Sequence, residues 1–151
     1  MERIVKQLTQ VYYYVYTATI LTTITGYMIT MNNYNPVAMT SPLGIALKSI
    51  LIFYMLISIP LALGGFHYMS KKWISIEDEK LKFEAYKKGA IVRLLLIGIG
   101  LIGSIIVFFI LKTDVSIIYC AGILAIILLF FCKPTQSKMI SELKLEEKEE
   151  E

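Results

Sequence analysis

The residues able to do chemistry in this sequence are few and far apart. Its apolar stretches hold one lysine (Lys48), one histidine (His67), one arginine (Arg93) and two cysteines (Cys120 and Cys132). His67 has no cysteine or carboxylate near it in sequence, so it builds neither a zinc site nor a haem site alone. Cys120 and Cys132 fall on one predicted helix, about 18 Å apart, too far to be joined by a disulfide. They read as small hydrophobes, and no C-x-x-C pair suggests redox work. Gly98, Gly100 and Gly103 spell G-x-G-x-x-G. A dinucleotide site needs that motif between a strand and a helix, and here it sits inside an apolar helix, so the nucleotide reading is discarded. Gly100 and Ser104 instead form a small-xxx-small pair suited to close helix approach.

Other candidates belong to the membrane. Tyr12, Tyr16, Thr19, Thr23, Gly26 and Thr30 recur at steps of 4, 3, 4, 3 and 4, which puts them on one helix face. Small and hydroxyl-bearing residues on such a face serve helix packing. A polar lining for a solute path is the alternative, disfavoured because threonine can return its hydroxyl to its own backbone. Ser58, Ala62 and Gly65 make a second small-residue face. Lys48 and Arg93 are candidate headgroup or anion contacts: Lys48 lies close enough to a span end to snorkel, and Arg93 can reach lipid phosphates or a neighbouring carboxylate. No span carries Asp or Glu, which weakens a proton-driven exchanger. The sequence supplies no catalytic residue set, no cofactor motif and no metal cluster. Glu77, Asp78 and Glu79 read as acids complementing a helix dipole.

The elements that carry these residues are four apolar segments. The chain of 151 residues is 56% hydrophobic with a mean hydropathy of +0.65, above the usual apolar share of soluble domains, about 45–50%. Val11–Met31 bears no charge, and its helix would measure about 32 Å against a hydrocarbon core of about 30 Å. It is too long for the apolar core of a signal peptide and is read as a retained span. Asn32–Leu43 is an uncharged loop in which Pro36 and Pro42 stop helices. Gly44–Met69 is the second span, kinked where Pro60 is followed by Gly64 and Gly65. In Ser70–Gly89, Tyr68 and Trp73 flank as interface anchors. Ser75 and Asp78 resemble a capping box that starts a helix near Ile76. That helix is expected to run unbroken into the third span, Ala90–Leu111. A tight turn at Lys112–Asp114 leads to the fourth span, Val115–Cys132.

The fold class that follows is an all-α integral membrane protein with four transmembrane helices, the third continuous with a cytosolic helix. Residues 1–135 form the spanning unit, and 136–151 a charged cytoplasmic tail. Met139, Ile140 and Leu143 make a short amphipathic helix in that tail, before a disordered LEEKEEE end. Arg3, Lys6, Lys71, Lys72, Lys80, Lys82, Lys87, Lys88, Arg93, Lys133, Lys138, Lys144 and Lys148 fall on one side, and Lys48 and Lys112 on the other. The positive-inside bias places both termini in the cytoplasm, and composition suits a bacterial inner membrane. The same bias accounts for the basic residues without nucleic acid as a partner. The expected partners are the lipid bilayer and another membrane protein or a second copy of the chain. The function expected is non-enzymatic: an accessory subunit, scaffold or protective protein acting through helix–helix association. A homo-oligomeric channel or transporter for a small solute or ion is the alternative.

Overall fold

Hydrophobic side chains at every turn, few helix breakers and no alternating pattern favour helices, and in the computed structural model every regular element among the described residues is a helix. It describes residues 2–32, 35–111 and 115–145. Among these are α1 (Glu2–Met31), α2 (Pro42–Pro60), α3 (Phe66–Ile74), α4 (Glu79–Leu111), α5 (Val115–Phe130) and α6 (Gln136–Leu143), with no strand. A π-helical turn, Leu61–Gly65, joins α2 to α3. By length and composition two helical stretches can cross a membrane, Pro42–Ile74 and Glu79–Leu111. The apolar α5 is shorter, about 24 Å. Diluted by tyrosine and threonine, α1 is not one of the two.

Several boundaries differ from the sequence expectation, each for a local reason. Pro42 begins α2 rather than ending a helix: Ser41 caps it, its side chain accepting from the Gly44 amide at 3.1 Å. Proline suits the first helical position because its missing N–H would have no partner there. The helix expected from Ile76 starts at Glu79. Ser75 donates its hydroxyl backward to the Lys72 carbonyl, 2.7 Å, at the end of α3. Asp78 takes the cap, accepting from the Lys80 amide at 2.9 Å. From there α4 runs unbroken for 33 residues, about 50 Å. The irregularity expected after Pro60 takes the form of the π turn, where the missing proline donor disturbs the regular ladder. The turn expected at Lys112–Asp114 and the run Glu146–Glu151 lie outside the described residues.

The long α4 is the central column, with α1, α2 and α5 against it. A Cβ added at Gly98 would lie 2.7 Å from Val15 Cγ1, and one at Gly26 would collide with the Phe109 ring. Those two contacts fix α1 parallel to α4. Against α2 and α5 the order reverses. Gly100 faces Tyr54 and Leu124, Phe66 faces Arg93, and Leu51 and Ile117 share a cluster with Val107 and Leu111. One end of the molecule therefore gathers the start of α1, the segment 66–90 and α6. The other holds the loop before α2 and the end of α4, where the Val37 amide donates to the Ile110 carbonyl at 3.0 Å.

Candidate functional site

The chemistry collects at the cation-rich end, where α6 folds back onto α3 and α4. Met139 and Leu143 are buried there with Leu8, Phe66, Trp73, Tyr86 and Ala90. Trp73 is thus a core residue rather than an exposed interface anchor. Its ring fills the notch left by Gly89 and meets Phe66 and Tyr86 edge-on, at 5.4 and 6.2 Å between centroids. Tyr68 remains exposed. Glu142 of α6 receives two hydrogen bonds: the Tyr86 hydroxyl donates at 2.7 Å and Arg93 Nη1 at 3.2 Å. Arg93 is 6% exposed, and its guanidinium lies 3.8 Å from the Phe66 ring centroid. A buried arginine of this kind needs a paired carboxylate and an aromatic face to offset lost hydration. Its Nε has no partner among the described residues.

Lys138 closes the other side. Its ammonium donates to the Phe130 and Phe131 carbonyls, satisfying the end of α5. Burial, reinforced by Arg93, holds its pKa below the ordinary lysine value. The turn into α6 is set by Thr135, whose hydroxyl accepts from the Lys138 amide at 3.3 Å. Two open clefts flank Arg93. One, of about 470 Å³, is apolar and runs along Leu61, Gly65, Met69, Trp73 and Leu96. The other, of about 870 Å³, is mixed, with His67, Ser70, Lys71, Glu142 and Lys144 beside Leu63, Phe66 and Phe131.

Of the residues singled out by sequence, the glycine motif splits. Gly98 and Gly100 sit in close approaches, Gly100 with Tyr54 Cε1 at 2.9 Å and Leu124 Cδ1 at 3.2 Å from a Cβ there. Gly103 has open space. Ser104 is fully buried and donates to the Gly100 carbonyl at 2.8 Å. Beside this notch the Tyr54 hydroxyl reaches the Leu96 carbonyl, 2.8 Å, a polar tie between α2 and α4. On α1, Tyr16 is half-buried with its ring 5.0 Å from that of Tyr12. Thr19, Thr23 and Thr30 donate to the carbonyls of Val15, Thr19 and Tyr27. Ser58 is buried, its hydroxyl unpartnered among the described residues. Gly65 meets nothing nearer than Leu61 Cγ at 4.0 Å, so it permits no close approach. Lys48 is half-buried on α2, at the opposite end from Arg93.

The sequence pointed to Arg93 and to a carboxylate near it. What it did not signal is Glu142, 49 residues away, or Tyr86 and Phe66 completing the cluster. The helical spacing of Met139 and Leu143 was the available clue, because an amphipathic tail helix must bury that face somewhere. No protein-family model matches the chain, and neither a curated protein nor a solved structure matches it.

Proposed function

We propose that the chain is a four-span integral membrane protein, a four-helix bundle with both termini in the cytoplasm of a bacterial cell, and that it works by helix–helix association rather than catalysis. It serves as an accessory, scaffold or protective component of a membrane complex. The observation that carries this reading is the apolar surface left open. Phe53, Leu56, Tyr119 and Phe130 are each at least 66% exposed, among many other large hydrophobic side chains on α1, α2, α4 and α5. In the most apolar stretch of Pro42–Ile74 only 22% of residues are buried within the chain. A water-soluble monomer does not display such area, whereas lipid and partner helices cover it.

The one-ended gathering of lysine and arginine supports the orientation. The channel alternative is disfavoured by the α1 face, whose threonine hydroxyls are spent on their own helix and whose Gly26 is filled by Phe109. The test is crosslinking in native membranes followed by purification in mild detergent. A reproducible hetero-complex is the expected result. Recovery as a lone monomer, with ion or solute flux in liposomes, would replace this function with the alternative.

A further inference from the structure

The mixed cleft between α3 and α6 has the chemistry of a lipid headgroup site. Its charged lining is Lys71, Lys144, Arg93 and Glu142, with His67 beside them. Arg93 and Glu142 neutralise each other at 3.2 Å, so among the described residues the charges left over in the cleft are those of two exposed lysines. Ser141 adds a hydroxyl, while that of Ser70 is donated to the His67 carbonyl at 2.8 Å. Leu63, Phe66, Ile74 and Phe131 make the rest of the wall apolar. Leu63 lies on the π turn within the apolar stretch and Phe131 just past the end of α5, so the greasy side of the cleft continues toward the spans. Lys144 ends α6 with φ 49° and ψ 45°, where glycine is the usual residue. Lys144 at that position places a cation on the rim.

We propose that this cleft binds the headgroup of an anionic phospholipid, its phosphate held by Lys71 and Lys144 and its acyl chains leaving past Leu63 and Phe131. The volume of about 870 Å³ falls within the range of small-molecule sites. A free phosphate would use the lysines but not the apolar wall, and a zwitterionic lipid the wall but not the charge. The proposal rests on the membrane reading above, which alkaline extraction of membranes tests separately: a chain that stays in the pellet keeps that reading whatever the lipid result.

The experiment is native mass spectrometry of the full chain in neutral detergent, titrated with phosphatidylglycerol, with phosphatidylcholine, or with inorganic phosphate. Phosphatidylglycerol should be retained at one site and phosphatidylcholine much less. The double variant Lys71→Gln/Lys144→Gln alters exposed side chains only and should fold. Its affinity for phosphatidylglycerol should fall about ten- to thirty-fold, since each lysine near an anionic surface matters by about a factor of five. Equal retention of the two lipids would overturn the proposal. So would release of phosphatidylglycerol by millimolar inorganic phosphate, or retention unchanged in the double variant.

Discussion

Gly98 and Gly103 lie five residues apart on one helix and answer to different surroundings. A side chain at Gly98 must displace Val15, and one at Gly100 must displace Tyr54 and Leu124, whereas one at Gly103 meets nothing within 4 Å. Gly98→Leu and Gly100→Leu should each cost about 1–3 kcal/mol through overpacking. Gly103→Leu should stay within about 0.5 kcal/mol of the parent. Thermal unfolding in detergent ranks the three, and equal losses would contradict the packing described. The same scale governs Arg93. Glu142→Met removes the carboxylate but leaves a buried guanidinium, and should cost about 3 kcal/mol. Combining Arg93→Met with Glu142→Met should recover much of that loss, the signature of coupled groups in a double-mutant cycle. The sequence marked Gly100 with Ser104 as a small-residue pair, because close approach between helices selects small residues. Which of the three glycines face a neighbour was not legible there, since this depends on the rotation of α4 against α1 and α2.

Helix starts and stops show how local signals compete. Ser75 and Asp78 are both good caps, and an S-x-x-D spacing favours the first. The chain uses the second because α3 continues to Ile74 and Ser75 serves its C-terminal end. Asp78→Ala should therefore cost about 1 kcal/mol, the usual loss of a helix cap, and Ser75→Ala only a few tenths; the reverse order would restore the boundary expected at Ile76. The amphipathic spacing of the tail helix could be read from Met139, Ile140 and Leu143, but not its seat. Met139 and Leu143 are each 1% exposed against Leu8, Phe66 and Tyr86. Leu143→Ala should cost about 2–5 kcal/mol and increase proteolytic nicking between Lys133 and Gln136. An exposed tail helix would show neither change.

The whole molecule is organised about α4, which touches every other long helix and carries the buried arginine near its charged end. Parallel pairing with α1 and antiparallel pairing with α2 and α5 gather Glu2, Lys80 and Leu145 at one end, and the loop before α2 at the other. Charge counting assigns the same segments to one side, on the rule that cations favour the cytosolic side of a bilayer. It gave no guide to the order in which helices touch, which is fixed by shape: the notches at Gly26, Gly98 and Gly100 and the rings that fill them. The central claim is that these helices cross a bilayer with the cation-rich end inside. Single cysteines at Thr40, Lys80 or Ser137, in a background lacking Cys120 and Cys132, test it with an impermeant thiol reagent on intact cells. Thr40→Cys should label in intact cells, and Lys80→Cys and Ser137→Cys only after permeabilisation. Labelling of Lys80→Cys and Ser137→Cys from opposite sides, or recovery of the protein in the soluble fraction, would contradict the account.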